Sequence, residues 1–281
     1  METEILALRS VSFGYPKVSI FDDLSVSFQR GELVALLGAN GTGKTTLLRL
    51  LNGLLRPQKG VILLHGKPLP KKVSVAARSV GIAFQNPVHQ FFAASVREEL
   101  EYAQRWLKNK KQRVSETAEA IAKQFNLEEL LERSPYSLSS GEQRRLSIAT
   151  IIALGAHLIG LDEPTVGQDL RGRKNLANLL IKMKQSGLGI IAATHDVEWI
   201  APIADRVLVL ERDNPPIQGL VSEILTSSTI LQNANLHVPQ LVDLGNVLQL
   251  GTLNGDWDSL SERNAHALSS RLAKISPKGD C

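Results

Sequence analysis

One octapeptide restricts this chain more than anything else in it: Gly38-Ala39-Asn40-Gly41-Thr42-Gly43-Lys44-Thr45. It has the spacing G-x-x-x-x-G-K-[ST] and follows the apolar run Leu33 to Leu37. Beyond it, Thr46, Leu47, Leu50, Leu51 and Leu54 recur at helical spacing, and Pro57 lies past the end of that pattern. Strand, glycine-rich turn and helix in this order let consecutive backbone N–H groups point inward at a helix N-terminus, where they cradle phosphate oxygens. Lys44 adds a point charge for β- and γ-phosphates, and Thr45 offers a hydroxyl to Mg²⁺. The octapeptide therefore predicts a nucleotide site. A dinucleotide fold fits less well, because Gly41-x-Gly43 lacks the third glycine.

The remaining pattern fits around such a unit. Ile5-Leu6-Ala7-Leu8, Ile20 to Phe28 and Glu32 to Leu37 read as strands, with turn residues at Gly14, Pro16, Asp22-Asp23 and Gly31. Val61 to Leu64 and Val80 to Phe84 are further strands, separated by a polar, basic link. From Ser95 to about Ala153 the texture is helical, and Val114, Ala118, Ile121 and Phe125 share one helix face. Then strand and helix alternate: His157 to Leu161, a helix from about Asp169 to Gln185, Gly189 to Thr194, a short helix, and Arg206 to Leu210. Continuous apolar strands between helices predict an α/β fold, a parallel sheet covered on both faces, with a helical insert inside it. After Asn214-Pro215-Pro216 the chain reads as a polar, irregular appendage.

Several residues at strand ends carry chemistry. The strand His157 to Leu161 runs into Asp162-Glu163. At a strand's C-terminal end Asp162 is placed to hold Mg²⁺ opposite Thr45, and Glu163 to act as general base toward water. Gln85 closes the strand Val80 to Phe84 and suits a sensor of metal and water; His195 closes Gly189 to Thr194 and can reach a γ-phosphate. Tyr15 can stack on a base. Leu138-Ser139-Ser140-Gly141-Glu142-Gln143 is a capped helix start that doubles as a second anion-binding N-terminus, far along the chain from the first. Two facing chains would explain why there are two.

Composition narrows the classes. The net charge is +4 from 32 basic and 28 acidic side chains spread along the chain, so no nucleic-acid partner is expected. The cluster of Arg105, Lys108, Lys110, Lys111 and Arg113 around Trp106 reads as a solvated helix end. Cys281 is the one cysteine, which excludes an internal disulfide, and no paired His or Cys spacing marks a dedicated metal site. Met1-Glu2-Thr3-Glu4 is acidic where a signal peptide is basic, and the uncharged stretch Leu146 to Leu161 is too short and polar to span a bilayer.

In its motifs and their order the chain resembles the nucleotide-binding ATPase subunits of ABC transporters over about residues 4–225. Leu138 to Gln143 is similar to the signature motif, Pro164-Thr165-Val166-Gly167-Gln168-Asp169 to the D-loop, Gln85 to the Q-loop residue, His195 to the switch histidine and Tyr15 to the adenine-stacking aromatic. Ser140 stands where that family usually has its first signature glycine. The resemblance implies a P-loop NTPase (RecA-like) core with an N-terminal antiparallel β-subdomain and an inserted helical subdomain at about residues 95–153. It implies an ATPase domain over residues 1–225 and an appendage over 226–281. ATP would be held by Tyr15, Gly38, Asn40, Gly41, Gly43, Lys44, Thr45 and Thr46, with Ser139, Gly141 and Asp169 also serving nucleotide. Mg²⁺ would be held by Thr45, Gln85 and Asp162; Glu163, His195 and Gln85 would be catalytic.

A finer resemblance is to the energy-coupling factor importers for vitamins and transition-metal ions. It rests on Phe84-Gln85-Asn86-Pro87 with Gln90-Phe91-Phe92, on the D-loop, and on Leu236-His237-Val238-Pro239-Gln240-Leu241, although Val88-His89 replaces an acidic residue common after Asn-Pro. It implies a second ABC ATPase subunit, identical or paralogous, and integral membrane transporter subunits, with this chain peripheral on the cytoplasmic face of the membrane. The alternatives are the ATPase of an ordinary importer and a soluble ABC ATPase outside transport. Because Phe91 and Phe92 are adjacent, they cannot share one face of a regular element, and one is expected to stay exposed as a docking spot for a membrane-subunit helix.

Overall fold

A computed structural model describes residues 4–108, 117–212 and 214–240. Val114, the side chains of the basic cluster around Trp106, and Leu241 to Cys281 lie outside the described residues.

Two long strands, β1 (Glu4–Tyr15) and β2 (Val18–Gln29), pair antiparallel through a tight turn at Pro16-Lys17, where Lys17 takes a φ of 70°. β3 (Leu33–Leu37) follows, buried along its whole length, and leads through the glycine loop into α1 (Lys44–Leu51). β4 (Lys59–Leu64) returns to pair with β1, and the two-residue β5 (Lys67–Pro68) pairs with β4. The polar link after it holds a short helix, α2 (Val73–Ser79), before β6 (Val80–Ala83). Sequence periodicity missed α2 because Ala76 alone among its seven residues is buried.

The helical insert contains α3 (Val96–Lys108), α4 (Ala118–Gln124) and α5 (Ser140–Ala153), with short 3₁₀ turns between the last two. The chain then alternates through β7 (Leu158–Asp162), α6 (Leu170–Gln185), β8 (Gly189–Ala193), α7 (Val197–Ile200) and β9 (Arg206–Val209). The large sheet has the order β10-β9-β3-β8-β7-β6 and is parallel except for β10 (Ile217–Leu220), which runs antiparallel to β9. The small sheet, β2-β1-β4-β5, is wholly antiparallel. This is the α/β architecture expected from the alternation of continuous apolar strands with helices.

Side-chain alternation divides the core in two. On one face Val34 and Leu36 of β3 pack with Ile5, Leu6 and Phe28 of the antiparallel sheet and Leu47 and Leu50 of α1. On the other, Leu33, Ala35 and Leu37 belong to a cluster that runs through α5, α6 and the insert to Phe91, Val96, Ile121 and Phe125. The stretch after Pro216 is not irregular as far as Leu236. It forms β10, α8 (Val221–Ile224) and α9 (Ser228–Asn233), and Leu225, Leu231, Ala234 and Leu236 are buried in that second cluster. Packing therefore continues past residue 225. Each of these elements is four to six residues long, too short for a periodic signal to build up.

Candidate functional site

The parallel strands deliver their C-terminal ends to one edge of the sheet, and most of the polar residues singled out from the sequence arrive there. Gly38 follows β3 directly. A Cβ on it would lie 2.5 Å from the Leu210 carbonyl oxygen, and its φ of 149° is glycine territory. Gly43, the N-cap of α1, has a φ of 102°, and a Cβ there would meet Ile20 Cγ2 at 2.6 Å and Phe21 at 3.0 Å. The loop between them thus adopts a path that side chains would block. Asn40 and Gly41 are exposed at its tip.

Lys44 opens α1 and turns back over the loop: its Nζ donates to the carbonyls of Gly38 (2.7 Å) and Ala39 (3.1 Å). The same ammonium lies 3.8 Å from Glu163 Oε1. Burial pushes its pKa down, against the opposing pull of Glu163 and Asp162. Thr45, next on the helix, donates from Oγ1 to Asp162 Oδ2 at 2.8 Å, across 117 residues of sequence. Burial raises the Asp162 carboxyl above the usual range, and the bond from Thr45 only partly offsets this. Thr46 is buried, with its hydroxyl 3.4 Å from the phenol of Tyr15, whose ring is partly exposed at the rim.

Glu163 is the first residue beyond β7. Its N–H extends the ladder to Ala193 (2.8 Å), and its φ of 43° is left-handed, a strained conformation for a non-glycine residue. Oε2 sits 3.0 Å from His195 Nδ1 and 3.3 Å from the Thr194 hydroxyl. Glu163 is buried while the His195 ring is open to solvent. The array is a cation, two carboxylates, the hydroxyls of Thr45 and Thr194 and an imidazole around a helix N-terminus. It can grip a polyphosphate, ligate a hard cation and hold a water for deprotonation.

Gln85 lies just past the end of β6 with its side chain exposed, and no side-chain bond joins it to the array. Ser139, Gly141 and Asp169 are elsewhere. They line a separate cavity of about 590 Å³ with Ser140, Gln168 and Arg171, and no residue of the phosphate loop borders it. Ser139 is the N-cap of α5 in a full capping box: its N–H and hydroxyl both contact Glu142 Oε2 at 2.7 Å. The Ser140 hydroxyl donates to the Gly167 carbonyl at 2.9 Å, joining the signature turn to the D-loop of the same chain. Asp169 caps α6, accepting from the Gly172 N–H.

Sequence reading passed over Thr194 and Arg144. Arg144, on α5, is buried and bonds the carbonyls of Phe84 and Gln85. Its signal was a charge at the helical spacing of the apolar Ile148 and Ile151, on a face that should be hydrophobic. Among the described residues no helix is long and apolar enough to cross a membrane.

The sequence pattern of the ABC transporter family matches residues 21–166, from within β2 through the D-loop's Val166. The chain belongs to the ABC transporter ATPase family. This ABC ATPase is 35% identical over 248 residues to the energy-coupling factor transporter ATP-binding protein EcfA of Methanocaldococcus jannaschii, covering 87% of this chain and 89% of the relative. It is 36% identical over 241 residues to YkoD of Bacillus subtilis, an ATP-binding protein named for HMP/thiamine import. That match covers 85% of this chain but 43% of YkoD, so the chain spans less than half that relative's length. Among solved structures, CbiO1 of Clostridium perfringens, described as part of the ABC transporter complex cbiONQ, superposes with a TM-score of 0.72 at 30% identity. The alignment covers 87% of this chain and all of CbiO1. The parallel core, antiparallel sheet and helical insert are thus the family's architecture, and the nucleotide it uses is ATP.

Proposed function

We propose that this chain is the ATP-hydrolysing subunit of an energy-coupling factor-type importer for a vitamin or a transition-metal ion. It would pair with a second ABC ATPase subunit and dock on membrane subunits at the cytoplasmic face. The names of its relatives, EcfA, the HMP/thiamine protein and a cobalt import protein, CbiO of Rhodobacter capsulatus at 35% identity, support the class. The observation that carries the mechanism is the separation of the two anion sites. One chain holds the phosphate loop with Asp162, Glu163 and His195 at one sheet edge, and the serine-capped helix borders a cavity of its own.

In this reading the backbone N–H groups of residues 38–46 and the Lys44 ammonium hold the phosphates of ATP, and Tyr15 stacks on adenine. The chemistry of the donors fits Mg²⁺. Thr45 Oγ1 and Asp162 Oδ2 are hard oxygens 2.8 Å apart, and Asp162 is a buried carboxylate whose ionised form gains from a cation. With Gln85 they would hold the ion, which when bound neutralises charge on the β- and γ-phosphates. Glu163 takes the proton of the attacking water, held in place by Thr194 and His195. His195 also reaches toward the γ-phosphate. Ser139 and Gly141 of a facing subunit close over the same nucleotide, with Asp169 beside the junction.

The test is to isolate the chain from membranes in mild detergent and identify what accompanies it, then measure ATP-dependent uptake in reconstituted vesicles. Membrane subunits with ATP-driven uptake of a vitamin or metal ion are expected. Recovery with ribosomes or DNA and no membrane protein would overturn the reading.

A further inference from the structure

Arg144 heads the fully buried side chains by size, at 2% exposure. Burial lowers its pKa to about 10, with the charge of Asp162 opposing, so it remains a cation at neutral pH. Its guanidinium spends Nη1 on the carbonyl of Phe84 and Nη2 on that of Gln85, both at 2.7 Å, while Nε is buried with no partner. A buried guanidinium whose Nε–H finds no partner is expensive to keep. Those two carbonyls begin the strap that leaves β6, which among the described residues is an edge strand of the large sheet. The fork of Arg144 ties down the first two carbonyls past the strand, and Gln90 reaches back to donate to the Ile82 carbonyl within it at 2.8 Å.

The guanidinium belongs to α5, the unbroken helix whose N-cap is Ser139. Arg144 and Ser139 are roughly 7.5 Å apart along one rigid axis, at about 1.5 Å per residue. Whatever displaces the serine-capped end therefore displaces the fork that holds the backbone of Gln85.

We propose that Arg144 is a positioning residue that ties Gln85 to the signature helix of its own chain. It rests on the roles given above to Gln85 and to the facing serine turn. Engagement of the serine-capped end of α5 by the facing subunit's nucleotide then resets Gln85 beside this chain's own nucleotide, so the two composite sites respond to each other. Lysine cannot substitute, because a single ammonium does not span two successive carbonyls as the planar fork does.

The test compares Arg144→Gln, Arg144→Lys, Gln85→Ala and the double variant Arg144→Gln/Gln85→Ala. Three quantities are measured: MgATP turnover, affinity for a fluorescent ATP analogue, and deuterium uptake of the backbone at residues 84–92. Arg144→Gln should lower kcat at least tenfold and leave analogue affinity within about threefold, with faster exchange confined to 84–92. Arg144→Lys should fall short of wild type in the same way, and it decides the matter if Arg144→Gln does not fold. The double variant should be no slower than Gln85→Ala, because both changes act through one group. Additive losses, or wild-type turnover and exchange in the Arg144 variants beside an impaired Gln85→Ala, would overturn the link alone. Wild-type turnover in Gln85→Ala would overturn it together with the role of Gln85.

Discussion

Replacing Glu163 with Gln separates the grip on nucleotide from the chemistry performed on it. The side chain is buried between three partners: Lys44 at 3.8 Å, His195 at 3.0 Å and Thr194 at 3.3 Å. An amide of the same shape keeps an oxygen for Thr194 and His195 and keeps the left-handed backbone at the same strain. It loses the charge and the basicity. A lost general base costs roughly two to four orders of magnitude in turnover, about 3 to 5 kcal/mol in the barrier. Binding should move the other way. Two unit charges at the Lys44–Glu163 separation interact by about 4 kcal/mol at an effective dielectric of 20. Removing the carboxylate thus removes a strong competitor for the ammonium and a repulsive neighbour of the phosphates. ATP affinity measured with a fluorescent analogue should therefore hold or tighten, while phosphate release under saturating MgATP falls at least a hundredfold. A Glu163→Gln protein that binds ATP and hydrolyses it at the wild-type rate would refute the assignment of Glu163.

Other outcomes follow from the same geometry. Lys44→Ala removes the charge that closes the loop through Gly38 and Ala39, and equilibrium binding should show no useful ATP affinity. Mixing Lys44→Ala with Ser139→Arg chains should restore part of the activity if sites form between subunits, since a mixed dimer then keeps one undamaged site. No recovery from a verified mixed homodimer would exclude it. Asp162→Asn should raise the melting temperature at pH 7 while losing hydrolysis. Burial raises this carboxyl above its unfolded pKa, so its favourable contribution is present below the unfolded value and lost as pH rises through the folded one. The gain should vanish in acid, which a pH series of melting curves would reveal. Phe92→Asp should leave ATP binding intact and weaken recovery of the membrane subunit, because Phe92 is 62% exposed beside Tyr102, whereas Phe91 is core and unsuitable for the test.

What was legible in the residues was local. The octapeptide from Gly38 to Thr45 announces its own strand, turn and helix, since glycines, a lysine and a hydroxyl at fixed spacing have few other uses. Five apolar strands between helices were enough for a parallel sheet, because strands buried on both faces show no alternation. The short elements after Pro216 and helix α2 escaped, being held by tertiary burial of one or two side chains rather than by any period of their own. Likewise, sequence order could set Asp162 and Thr45 at strand and helix ends, yet only the sheet order, with β8 between β3 and β7, decided that they meet at 2.8 Å. The strain at Glu163, its enclosure by Thr194, and the grip of Arg144 on the Gln85 backbone are also tertiary facts. Each depends on groups brought together from across the chain, and a side chain's pattern in the sequence records the company it keeps along its own element, not the neighbours that folding places across from it.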